Sequence, residues 1–341
     1  MTSGSVCILP YIQAVTGPAS FQIRLKDGLE RRGIAVHHAP QRADTRAILV
    51  IAGTRKIKEI QAARRRGVRV VQRLNGINWI QRRRRTGIRH FLRAELGNLL
   101  LLYTRRFLAD AVVYQSQFTR DWWERVYGPA RVPAEVIWNG VDLAAFTPEG
   151  PETLPDDHLR VQVVEGNLQG GYEIGLEFAL RLSAELQSRQ AEPVELIVTG
   201  HVPDAVRQFV QRHYPQARVR YTGMVAREAV PGLNRSAHLF FSAELLPSCP
   251  NAVIEALACG TPVLAFATGA LPELVQGDAG RVVDFGGDPW KLDWPDFPAA
   301  ARAAAAIMEN RQHFSQSARQ WAETSLGLEK MTERYCQILA V

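Results

Sequence analysis

The chain has 341 residues, 46% of them apolar and 22% charged, which is ordinary for a soluble globular protein and too long for one typical core, so two domains are expected. No run approaches the ~18–20 apolar residues that cross a bilayer, and the short uncharged start before Val6 lacks the pattern of a signal peptide. Cys7, Cys249, Cys259 and Cys336 are scattered, with neither metal spacing nor a disulfide framework, which fits free thiols in a reducing cytoplasm. The net charge of +7 hides a division: residues 1–150 carry 25 Lys+Arg against 11 Asp+Glu, and the remainder carries 16 against 23. A boundary near Pro148–Pro155 follows. The basic half suits an anionic partner: a membrane surface, a phosphorylated substrate or nucleic acid.

In chain order, Val6–Leu9 reads as a buried strand, followed by the loop Gly17-Pro18-Ala19-Ser20 and a helix over Phe21–Arg32 that Gly33 ends. Ile34–His37 begins the next strand. Ile48–Ala52, Val68–Gln72 and Ala111–Tyr114 are further short apolar runs between helical segments. The second half repeats the scheme at Val161–Val164, Val194–Val198, Val219–Tyr221, Leu239–Phe241, Val263–Phe266 and Arg281–Val283. Alternating strands and helices predict α/β folding with doubly wound parallel sheets. Gly166, Gly200, Gly223 and Gly269 lie in loops after several of these strands, where open α/β sheets bind ligands. Residues 312–339 are helical in period, broken near Gly327.

The most informative stretch is Cys249–Glu273. It predicts a helix opened by Pro250 and closed by Gly260, a Gly-Thr-Pro turn, a short strand, and a glycine-proline loop ending in Glu273. Val253, Ile254, Leu257 and Ala258 share the side that packs, while Asn251 and Glu255, four apart, share the other. A helix start attracts phosphate, and a carboxylate one turn further in can accept two ribose hydroxyls.

These residues carry a resemblance that runs over nearly the whole chain. Asn139-Gly140-Val141-Asp142 with Phe146-Thr-Pro148 resembles an "NGVD…F.P" signature, Glu255-Ala-Leu-Ala-Cys-Gly260-Thr-Pro262-Val263 an "EA-ACG-PV" core, and Gly269-Ala-Leu-Pro272-Glu273 a "GG-PE" loop. The chain is similar to the retaining glycosyltransferases of family 4 (group 1), of GT-B architecture: two Rossmann-like domains facing a central cleft. The resemblance implies an acceptor domain over residues 1–147, a nucleotide-sugar domain over 158–315, and terminal helices over 316–341 that cross back to the first. It implies transfer of a sugar from a UDP-, GDP- or ADP-sugar to an acceptor hydroxyl, with retention, no metal and no further cofactor. By position, Gly17, Gly166, Gly170, Met224, Cys249, Asn251, Ala252, Val253 and Glu255 would meet the donor, with Glu255 on the ribose.

Three family side chains are missing. Pro247 stands where an acid is expected, with Glu244 three residues earlier. Asn167 and Tyr172 stand in or near the places of an Arg and a Lys for the diphosphate. Backbone amides of residues 167–171 can instead form an anion nest, which gives Asn167 a catalytic assignment, and Arg73 in Gln72-Arg73-Leu74-Asn75 is the candidate cation from the basic half. The alternatives are a divergent nucleotide-sugar-binding protein without turnover and a nucleotide-sugar epimerase of the same architecture; nucleic-acid binding lacks a reading motif.

Arg82–Arg85 precede Ile88, Phe91, Leu92 and Leu99–Leu102, with Arg89, Arg93, Arg105 and Arg106 interleaved. Two readings stand together: residues 82–106 as an interfacial segment on anionic lipid, suiting a lipid-linked acceptor, or a helix packed on the sheet with a solvated basic face. Arg64–Arg66 read as a surface helix end, Trp122 and Trp123 as core, and Ser116 as a helix cap. His201, after Gly200, is the histidine expected nearest the ligand. Localisation follows as cytoplasmic, with peripheral contact at the inner face of the membrane.

Overall fold

The structure, a computed structural model, describes residues 4–13, 17–167 and 173–341. The chain divides into two compact units, one of residues 1–140 with 327–341 and one of residues 141–326. Each is built on a six-stranded parallel sheet.

In the first unit the strands are β1 (Ser5–Leu9), β2 (Val36–His37), β3 (Thr45–Val50), β4 (Arg69–Leu74), β5 (Ala111–Tyr114) and β6 (Ala134–Val136). Their order is β2-β1-β3-β4-β5-β6. Every residue of β1 and β5 is buried, as expected of strands covered on both faces by helices. Helix Gly17–Arg31 puts Phe21, Leu25 and Leu29 on the sheet. The last helix, Leu328–Leu339, adds Leu328, Met331, Tyr335, Ile338 and Leu339 at helical spacing to the same cluster. The strand β6 escapes the sequence reading because it is three residues long and carries no buried residue.

The second unit contains β7 (Leu159–Asn167), β8 (Val194–His201), β9 (Arg218–Gly223), β10 (Leu239–Ser242), β11 (Val263–Phe266) and β12 (Gly280–Val283), in the order β12-β11-β10-β7-β8-β9. Its core joins these strands to the helices Ile174–Gln187 and Phe297–Glu309 through Phe178, Leu182, Phe241, Phe266, Ala300 and Ile307.

The unit boundaries differ from those expected at 147, 158 and 316. Arg319, on helix Arg311–Ser325, donates to the carbonyls of Leu143, Phe146 and Ala258 at 3.2, 2.7 and 2.8 Å. Residues 141–147 are thereby tied to the second unit. The same helix stays there too, since Phe314 joins its core and Trp321 Nε1 donates to Leu274 O at 2.7 Å. The return to the first unit starts at Gly327.

Among the described residues, no helix is long and apolar enough to cross a membrane.

Candidate functional site

The strand order of the second sheet reverses between β10 and β7. In open parallel sheets the crevice at that point, beyond the carboxyl ends of the strands, is where ligands are held. The Cys249–Glu273 stretch lies on the β10 side of it. After β10 a loop carries the buried Leu246 in the left-handed region at φ 53°, then helix Asn251–Ala258 begins behind Pro250, whose own side chain cannot cap it.

Val253, Ile254, Ala256, Leu257 and Ala258 of this helix are buried, while Asn251, Ala252 and Glu255 are partly exposed. The helix ends at Gly260, φ 69°, with Thr261 N–H donating to Ala256 O at 2.9 Å and Thr261 Oγ1 to Asn234 O at 2.8 Å. The fully buried β11 follows. Beyond it, Gly269 has φ 57°, and a Cβ there would collide with the Pro247 backbone, whose carbonyl accepts the Ala270 N–H at 2.8 Å. Pro247, which stands where the family pattern has an acid, thus clamps the β10 loop to the glycine-proline loop. A short helix, Leu271–Leu274, carries Pro272 in its first turn and Glu273.

On the β7 side, Glu165 is 9% exposed near the strand end. Burial, reinforced by the charge of Glu244 just past β10, raises its carboxyl well above the usual range. Burial also raises the Glu244 carboxyl. No salt bridge reaches either acid among the described residues. The sequence reading missed Glu165. The signal available was an acid closing the apolar run Val163-Val164 just before Gly166.

The other expected residues fall as follows. The backbones of Gly166 and Asn167 end β7, with Asn167 opposite the exposed His201 of β8. Gly170 lies outside the described residues. Met224 follows Gly223, φ 70°, at the end of β9 and is 49% exposed. Cys249 is buried before the helix, and Val253 faces the core at 1% exposure, so only its main chain is available to a ligand. Burial pushes the Cys259 thiol up to about 12, which suits structure and not nucleophilic chemistry.

Gly17 and Arg73 belong to the first unit. Gly17 is exposed and opens its helix. Arg73, expected as a cation for the phosphates, is held inside this unit by partners of its own. Its side chain is 1% exposed, and it donates to Asn75, Gln115 and Asn139 side-chain oxygens at 2.9, 2.6 and 2.7 Å while lying over the Phe21 ring at 3.7 Å. Three amide oxygens and an aromatic face already compensate its buried charge. Trp123 is fully buried and donates to Asn75 O at 2.6 Å, and Ser116 accepts from Thr119 N–H at 3.1 Å as a helix cap.

A family model described as glycosyl transferases group 1 matches residues 160–297, and one described as glycosyltransferase family 4 matches residues 17–145. D-inositol 3-phosphate glycosyltransferase of Mycolicibacterium smegmatis is 29% identical over 63% of this chain and 51% of its own length. A GDP-mannose-dependent alpha-(1-6)-phosphatidylinositol dimannoside mannosyltransferase of Mycobacterium tuberculosis is 27% identical over 51% of this chain and 45% of its own. The chain therefore spans about half the length of these curated relatives. Among solved structures, Anabaena HepE in complex with UDP-glucose superposes with TM-score 0.70 at 17% identity, covering 98% of this chain and 99% of that one. WaaG, a glycosyltransferase involved in lipopolysaccharide biosynthesis, gives 0.70 at 14% identity over 98% and 99%. Likeness at that identity speaks for the fold, which is GT-B. With both halves matched in order and the signature residues in the elements just described, the chain belongs to the family 4, group 1 glycosyltransferases.

Proposed function

We propose that the protein transfers a sugar from a nucleotide-sugar donor to an acceptor hydroxyl with retention of anomeric configuration and without a metal. The observation that carries this reading is Glu255, partly exposed one turn inside the helix that Pro250 opens, beside the point where the sheet reverses. A carboxylate so placed accepts two ribose hydroxyls, while the amides of Asn251, Ala252 and Val253 meet the donor's sugar and phosphate. In the transfer, the bond from the anomeric carbon to the diphosphate oxygen breaks as the acceptor oxygen bonds on the same face. The departing phosphate takes the acceptor proton. The protein's part is then positioning and charge stabilisation.

The curated relatives include an enzyme named for GDP-mannose and a phosphatidylinositol mannoside, and a solved neighbour holds UDP-glucose. They support a nucleotide-sugar donor and a sugar or lipid-linked acceptor. The burial of Arg73 favours one second reading, a nucleotide-sugar binder without turnover, since no replacement for the missing loop cations comes from that side chain. A screen of UDP-, GDP- and ADP-sugars by thermal shift, then by donor hydrolysis and transfer, separates the two. Glu255→Ala should weaken donor affinity about tenfold or more, the worth of two hydroxyl hydrogen bonds to a charged group. Unchanged affinity would overturn the assignment.

A further inference from the structure

We propose that helix Ile88–Tyr103 and the π-helical turn Thr104–Leu108 after it form a docking surface of the first unit for anionic phospholipid. Ile88, Leu92, Leu96, Leu99, Tyr103 and Phe107 follow one another at spacings of three and four, which puts them on one stripe. Every one of them is exposed: Ile88 is 80%, Leu92 61%, Leu99 63% and Phe107 57% accessible. The stripe is not an unfinished core. The other side of the helix already holds the unit through buried Ala94, Asn98 and Leu101. Asn98 exchanges hydrogen bonds with the Asn78 main chain at 2.9 and 3.0 Å, and Gln72 Nε2 donates to Leu101 O at 2.9 Å.

The π-helical turn serves the same stripe. It turns Arg105 inward to Tyr114 Oη and Gly128 O, at 3.0 and 2.7 Å, while Phe107 stays outside, 5.1 Å from the Tyr103 ring. Patches of contiguous exposed apolar side chains on one face mark interaction sites.

Charge complementarity selects the occupant. Residues 82–107 contain eight arginines and one acid, Glu95. Glu95 is taken by Arg82 at 2.6 Å. Arg83, Arg85, Arg89, Arg93 and Arg106 are exposed around the stripe. Where the stripe ends it meets a cavity of about 570 Å³ lined by Gln61, Arg64, Arg65 and Arg69. Gln61 Nε2 reaches Tyr103 Oη at 3.5 Å, and Arg64 Nη1 reaches Phe107 O at 3.1 Å. The lining carboxylate, Asp110, is engaged by Arg64 and by the Val70 N–H. An apolar stripe fringed with arginines fits the boundary between acyl chains and anionic headgroups, and the arginine-lined cavity at its end fits a headgroup phosphate. That this contact serves a lipid-linked acceptor rests on the proposed function; the binding itself does not.

The test is cosedimentation of the full chain with vesicles of phosphatidylcholine alone and of an equal mixture with phosphatidylglycerol. Binding to the mixture, abolished by high salt, and little binding to phosphatidylcholine are expected. Leu92→Glu with Leu99→Glu, and separately Arg89→Glu with Arg93→Glu, should each lower binding about tenfold or more at unchanged melting temperature. Arg65→Glu should lower it severalfold. Equal binding by wild type and the Leu92/Leu99 variant would overturn the proposal, as would equal binding to both vesicle types. So would a dimer in gel filtration that the Leu92/Leu99 variant splits, which would make a second copy the occupant. Donor hydrolysis in detergent-free buffer is the separate readout. It should persist in the Leu92/Leu99 variant, and its absence from wild type would remove the proposed transferase while leaving vesicle binding intact.

Discussion

Arg73 Nη2 donates to Asn139 Oδ1 across 2.7 Å, with both side chains buried in the first unit. This bond joins the end of β4 to the Asn-Gly-Val-Asp signature. The neighbouring Gly140 carbonyl accepts from Arg24 Nη1 at 2.9 Å, and the Gly140 N–H meets Met331 Sδ at 3.0 Å. A Cβ on Gly140 would stand 2.8 Å from Leu328 Cα and 3.0 Å from Gly327 O. The first two residues of the signature therefore position the last helix. The Asp142 carboxylate accepts from the Ala144 N–H at 3.1 Å and shapes the segment that follows.

Replacing Arg73 tests whether its guanidinium holds the fold. Arg73→Ala strands the Gln115 and Asn139 oxygens that it now satisfies, and a loss of about 3 kcal/mol is expected. Arg73→Lys cannot reproduce the planar fork and should recover less than half of it. Urea unfolding measures both. Unfolding midpoints equal to wild type, together with weakened donor binding, would restore the phosphate-binding role.

Gly269→Ala should disturb the site loop. The residue has φ 57°, and the added Cβ meets the Pro247 main chain. Backbone strain and the clash together should cost about 2–3 kcal/mol. Donor affinity should fall with it, because the clamp between Pro247 and Ala270 opens. Calorimetric titration with the donor and thermal unfolding report the two effects. A variant as stable as wild type would contradict this packing.

The buried acids make stability depend on pH. Burial raises the Glu244 carboxyl from the ordinary value to about 7, so the folded protein holds a proton that the unfolded chain releases. The resulting stabilisation is complete below the unfolded value of 4.5 and disappears as pH rises through about 7. His238 has the opposite sign. Burial lowers it to about 4, so its stabilising contribution is present above 6.5 and is lost as pH falls from there. Between pH 6.5 and about 8.5 the remaining loss from the carboxyl exceeds the remaining gain from His238, and stability should drop by about 0.5 kcal/mol. Glu244→Gln should flatten that slope. Melting temperatures across the window decide it, and an unchanged slope in the variant would assign the proton elsewhere.

Much of this molecule was legible before folding. Strands such as Ala111–Tyr114 and Val263–Phe266 announce themselves because parallel strands covered on both faces need unbroken apolar runs. The helix behind Pro250 was readable from proline at its start and glycine at its end. Arg73 was not. A lone arginine at a strand end looks the same in sequence whether its partners are phosphates or the amides of Gln115 and Asn139, which are 42 and 66 residues away along the chain.

The sequence by itself determined the α/β class, the family, and the helix that carries Asn251 and Glu255, because local periodicity and turn chemistry act within a few residues of each other. Tertiary structure alone decided where charge is spent. It closed Arg73 into a core, set Glu165 near Glu244 across the reversal of the second sheet, and turned the stripe from Ile88 to Phe107 outward. Burial and charge pairing depend on which distant strands become neighbours, and spacing along a chain does not encode that.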